Sequence, residues 1–148
     1  MTIVRIRRLE WRPGFSVGIE AIDGQHKAMI DALNSVGEAL EREDAEGCVR
    51  LYGDFLRLSS DHFAAEELVL FSSGYPKAQE HADHHKRLLE MAELARGQCL
   101  KRVLSHQETE CFNALLEFLI GDLLEADIQF KSFLEEMDRP TRKKALLN

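Results

Sequence analysis

Proline is scarce in this chain. Three residues in 148, none inside a long periodic segment, leave most of the sequence free of helix breakers. Cysteine is scarce too: the three present are odd in number and show no CxxC spacing. Cys48, Cys99 and Cys111 therefore read as small buried side chains of a reducing compartment, not as a disulfide or zinc framework. No apolar run approaches the roughly 20 residues of a membrane span. The segment Met1 to Trp11 alternates charge with aliphatics and lacks the apolar stretch of a secretory signal. Strand signals are nearly absent. Positive charge is in the minority: 19 Lys and Arg stand against 26 Asp and Glu, a net charge of −7. That balance argues against a nucleic-acid partner, because phosphate contacts need a basic face. The two short basic runs, Arg5, Arg7, Arg8 and Arg139, Arg142, Lys143, Lys144, read as solvated ends. What these absences leave is a cytoplasmic globular protein with no membrane partner, long enough for one domain with a sizeable core.

What the sequence does contain is helical periodicity. After an irregular arm over about 1–18, in which Pro13-Gly14 signals a turn, four segments carry apolar residues at steps of three and four. The first runs through Ile22, His26, Met29, Ile30, Leu33, Val36 and Leu40. The second begins at Asp44, a plausible N-cap, and runs through Cys48, Leu51, Phe55, Leu58, His62, Glu66 and Val69. Gly74-Tyr75-Pro76 closes it and places Pro76 in the first turn of the next helix. The third stripe is His81, His85, Leu88, Ala92, Ala95 and Cys99. The fourth opens with Ser105 and Glu108 at capping-box spacing and continues through Phe112, Leu115, Leu119, Asp122, Ala126, Phe130 and Phe133. Helices over about 20–42, 44–73, 76–100 and 105–136, with a short tail over 137–148, predict one all-α domain spanning 1–148. Short connections favour an antiparallel up-down-up-down four-helix bundle.

The chemistry lies in what interrupts those stripes. His26, His62, Glu66, His81, His85 and Asp122 fall on faces that the periodicity turns inward, and Asp127 lies at the edge of the last one. Burying so many ionisable groups without partners costs several kcal/mol each. A lone histidine on an apolar face is most often a hydrogen-bonded core residue, but here every helix repeats the pattern. His62 and Glu66, like His81 and His85, stand at i, i+4 and project together. Carboxylates and imidazoles converging from several helices are how bundles hold two metal ions. A set of nitrogen and oxygen donors without thiolate suits iron or manganese, with zinc possible.

The segment WRPGFSVGIEAIDGQH, Trp11 to His26, resembles the opening of bacterial hemerythrins. HFAAEELVLFSSGYPKAQEHADHH, His62 to His85, is similar to their second and third helices, with HFxxEE, the Tyr-Pro turn and HxxxH. The likeness runs from about Trp11 to Leu134. It implies two non-haem iron ions joined by carboxylates and an oxo or hydroxo group. His26 and His62 would lie on the iron that keeps an open position, His81 and His85 on the other, with Glu66 and Asp127 bridging. It further implies an O2-binding protein, whether carrier, store or sensor, with NO and peroxide as related ligands. Members of that family occur as monomers and as larger assemblies, and a monomer is the expectation here.

One position departs from the family pattern. Five residues before the bridging aspartate the family has a further histidine ligand, and this chain has Asp122. An anionic oxygen in place of a neutral imidazole stabilises the ferric state and makes reversible O2 release harder. The alternative implied is a di-iron oxidase or peroxidase, or a nitric-oxide-handling protein. A weaker possibility is an iron-handling protein or a site that has lost one metal. Among the remaining polar residues, His84 is expected at the surface or beside the site, and His106, Glu67 and Glu125 in solvent. Asp23 and Gln25 are expected in capping or supporting hydrogen bonds. Phe63, Trp11 and Tyr75 are candidates to wall the site or to pack in the core.

Overall fold

The structure, a computed structural model, describes residues 6–121 and 127–136. Helices dominate these residues and no strand occurs among them. The elements are α1 (Glu20–Glu41), α2 (Ala45–Ser72), α3 (Ala78–Gly97), α4 (Cys99–Leu104) and α5 (Glu108–Ile120), followed by a helical stretch over 127–136. Around the bundle, α1 lies beside α2, α2 beside α3, α3 beside α5, and α5 beside α1. His26, early in α1, meets His62, late in α2, so these two helices run in opposite directions.

The arm is fastened along α1. Buried Asn34 accepts from the Leu9 amide at 3.0 Å and donates to the Leu9 carbonyl at 2.8 Å, satisfying the arm's backbone where it meets the bundle. A 3-10 turn over Pro13–Phe15 follows. The Asp23 carboxylate then accepts from the Ser16 hydroxyl at 2.6 Å and the Val17 amide at 2.9 Å. Asp23, in the first turn of α1, thus ties the end of the arm to the helix through supporting hydrogen bonds.

Three residues connect α1 to α2. Glu43 takes a left-handed conformation, φ 56°, and the Asp44 side chain accepts from the Gly47 amide, satisfying one of the orphan donors of the helix start. The N-cap assigned to Asp44 from sequence is present. At the far end of α2, Gly74 sits at φ 73° and the Tyr75 amide reaches back to the Leu70 carbonyl at 3.2 Å. This is the closing pattern glycine supports just past a helix end.

Two boundary expectations are corrected. Pro76 is not in the first turn of the third helix: α3 begins at Ala78 with Lys77 as its N-cap, so the proline belongs to the preceding turn. Ser105 does not cap the fourth pattern, because the chain forms the extra helix α4 and Ser105 ends it. Cys99 and Val103, one turn apart and both buried, give that short helix an apolar face of its own. His106 at φ 56° then redirects the chain, and Gln107 precedes α5.

The inward face of α2 also differs from its predicted stripe by one residue. Leu58 is 40% exposed, and Ser59 is fully buried, its hydroxyl bonded to the Phe55 carbonyl at 2.8 Å. From Phe55 a step of four, not three, keeps to the core-facing line at 3.6 residues per turn. The buried apolar residues form a large cluster that includes Phe63 and a smaller one around Leu70, Tyr75, Ala78 and Phe130. On α2, His62 and Glu66 fall between these clusters, so a polar layer crosses an otherwise apolar bundle.

Candidate metal centre

That layer gathers side chains from α1, α2, α3 and the stretch 127–136. His26, His62, Glu66, His85 and Asp127 are at most 1% exposed, and His81 is 5% exposed. His62 and Glu66 share a face of α2, and His81 and His85 share a face of α3, because i and i+4 lie one turn apart. The Nε2 atoms of His26 and His62 are 2.9 Å apart.

The two carboxylates stand between the imidazole pairs. Glu66 Oε2 lies 3.2 Å from His62 Nε2 and 3.9 Å from His26 Nε2. Its other oxygen, Oε1, lies 2.7 Å from His81 Nε2 and 3.3 Å from His85 Nε2. Asp127 repeats the division, with Oδ2 at 2.9 Å from His26 Nε2 and Oδ1 at 3.0 Å from His81 Nε2. Two donor groups result, His26–His62–Glu66–Asp127 and Glu66–His81–His85–Asp127, each with its ligand atoms within 4.8 Å of one another. Both carboxylates belong to both groups.

Electrostatics follow from this crowding. Burial pushes the Glu66 carboxyl up, but contacts with His62, His81 and His85 outweigh it and hold the group well below its ordinary value. Burial pulls His81 down, yet the Asp127 and Glu66 carboxylates raise it to about 10. Two buried carboxylates facing the imidazoles leave the layer in need of positive charge. A metal ion supplies that charge.

The surroundings orient the rings. His62 Nδ1–H donates to Gln25 Oε1 at 2.8 Å, which leaves the Nε2 lone pair facing the cluster. Glu67, expected in solvent, keeps 32% of its side chain exposed and joins neither donor group, while its Oε1 stands 3.5 Å from His85 Nδ1. Phe63 stacks on His85 with ring centroids 3.9 Å apart, and Tyr75 sets its edge toward His81. Trp11 packs against Phe15 and beneath the Lys27 ammonium instead. His84 is half-buried in an open hollow shared with Tyr75, His81 and Arg87. His106 is exposed, with 80% of its side chain in solvent. Asp122 and Glu125 lie outside the described residues.

The donor set fits a pair of metal ions. Neither Glu66 oxygen has a hydrogen-bond donor in regular geometry, and each faces a different pair of imidazoles. A carboxylate so placed is arranged to bridge. Residues 17–131, most of the chain, match the model of the hemerythrin HHE cation-binding domain. The chain belongs to the hemerythrin family.

Hemerythrins hold a non-haem di-iron centre, and the buried imidazole–carboxylate layer is of a kind able to accept one. The bacteriohemerythrin of Pseudomonas aeruginosa is 26% identical over 78 residues, covering 53% of this chain and 51% of that protein. That of Stenotrophomonas maltophilia is 28% identical over 78 residues with the same coverage. The match thus spans about half the length of these bacterial hemerythrins. The myohemerythrin of Theromyzon tessulatum is 23% identical over 125 residues, 84% of this chain and 92% of that protein. Among the described residues, no helix of this hemerythrin is long and apolar enough to cross a membrane.

Proposed function

We propose that this hemerythrin binds O2 at two iron ions, as an oxygen carrier, store or sensor. His26 and His62 would hold one iron, His81 and His85 the other, with Glu66 and Asp127 shared between them. Asp122 occupies the sequence position of the family's further ligand to the second iron, where it would bind directly, act through water or leave that position to solvent. The observation that carries this reading is the division of both carboxylates, each turning one oxygen to each imidazole pair. When bound, the iron pair supplies the electrons that make O2 binding reversible.

The chain's own residues provide the rest. Gln25 fixes the His62 ring so that its Nε2 faces inward. Phe63 and Tyr75 pack against His85 and His81, so apolar rings occupy space where water would compete. The buried carboxylates supply negative charge that favours the metal over protons on the imidazoles.

Asp122 favours a second reading, a di-iron oxidase or peroxidase or a nitric-oxide-handling protein. An anionic ligand stabilises ferric iron and opposes O2 release. Anaerobic reconstitution with ferrous iron separates these readings. About two irons per chain and a visible absorption that appears with O2 and disappears on its removal are expected. Two irons with turnover of peroxide and a reducing dye, but no reversible spectrum, would move the assignment to the second reading. One iron or none would overturn the di-iron assignment.

A further inference from the structure

The three cysteines, from three different helices, converge in the core. Cys48 lies in the first turn of α2, Cys99 opens α4, and Cys111 lies in the first turns of α5. The Cys99 sulfur is 3.1 Å from that of Cys48 and 3.0 Å from that of Cys111. All three sulfurs fall within 4.8 Å of one another. The thiols are free, and the residues are 0%, 0% and 2% exposed. The cluster is separate from the imidazole layer: Cys48 and His62 are fourteen residues apart on one helix, about 21 Å along its axis.

A thiol is a weak donor and a weak acceptor, so three of them gathered this closely gain little as mere core packing. They are well placed as ligands. The Cys99 sulfur sits between the other two, so one ion can reach all three. The thiolate is the form that binds metal. No histidine or carboxylate joins the three sulfurs among the described residues.

We propose that Cys48, Cys99 and Cys111 form a three-coordinate thiolate site for one monovalent copper ion. Soft thiolate donors select Cu(I), zinc and iron–sulfur clusters. Structural zinc closes with four ligands, and this site offers three. Metal–sulfur bonds of about 2.3 Å in a plane place the sulfurs roughly 4 Å apart, so uptake opens the two short edges by about 1 Å. Binding releases the three S–H protons to solvent, leaving three thiolates on one Cu(I). The proposal is independent of the iron reading, since it shares no side chain with that site.

The test uses the full-length, iron-loaded protein, reduced and kept anaerobic, titrated with Cu(I) held by a chromophoric chelator. One copper per chain is expected, with ultraviolet thiolate-to-copper absorption, an all-sulfur shell by X-ray absorption and unchanged iron content. Cys99→Ser should weaken retention by at least about 100-fold, more than losing a supporting hydrogen bond costs. Cys111→Ala serves the same purpose should Cys99→Ser fail to fold, with circular dichroism as the check. No retained copper while all three thiols still react with a thiol reagent overturns the proposal. So does equal uptake by a variant with all three cysteines changed to Ala, or a shell containing nitrogen. Preference for zinc over copper in direct competition overturns the choice of metal.

Discussion

At the residue scale, the site is built from side chains whose neighbours matter as much as their donor atoms. Gln25 accepts from the far side of the His62 ring, and such partners fix both tautomer and orientation. Gln25→Ala should lower iron affinity by about 10- to 100-fold, read as faster iron loss to a chelator. Unchanged loss would mean that something else holds the ring. Phe63 lies between His85 and Phe118, and Phe63→Ala should cost about 3–5 kcal/mol, measured by denaturant titration. Asp122→His should slow autoxidation of the oxygenated protein by restoring a neutral donor, and an unchanged rate would place Asp122 away from iron. The four histidines and Glu66 were legible because each is polar on an apolar stripe, whereas Asp127, at a stripe's edge, was marked by the family resemblance. The approach of Glu67 to His85 was not legible, because His85 is eighteen positions away on another helix. Ser59 was missed because its small hydroxyl bonds its own helix and costs nothing to bury.

At the scale of elements, helix ends govern the path of the chain. Asp44 caps α2 through the Gly47 amide. Asp44→Ala should cost about 1 kcal/mol, visible as a lower midpoint at unchanged denaturant slope. No change would mean that solvent serves the amide equally well. Asp44 was readable from sequence because its capping bond is local. The end of the third pattern was not. Ser105 and Glu108 have capping-box spacing, but the burial of Cys99 and Val103 made a helix ahead of them and turned Ser105 into its C-cap. Tertiary burial overrode a local signal worth only about 1 kcal/mol.

At the scale of the whole molecule, the polar layer makes stability conditional on its occupant. Six ionisable side chains lie across the core, and a ligand bound only by the folded state stabilises it by mass action. Removing iron with a chelator should lower the unfolding free energy by about 4 kcal/mol when free iron had stood near 1,000 times its dissociation constant. Calorimetry with and without the chelator measures this, and identical curves would show that no metal is linked to folding. The all-helical class was legible because long periodic segments are a strong signal and proline leaves them unbroken. How the helices neighbour one another depends on contacts across the bundle.

The positions of the donors along the chain carry a consequence for synthesis. His26, His62 and Glu66 emerge first, on α1 and α2, whereas Asp127 lies beyond every other helix of the bundle. Chains are made from the N-terminus at about 5–20 residues per second, so for several seconds a growing chain displays half of a bridging pair with nothing opposite it. With Glu66 and Asp127 as the proposed bridging pair, a two-metal site would be complete only once the last helical stretch has docked. On the proposed assignment, bound metal would therefore distinguish a finished molecule from one still in the making.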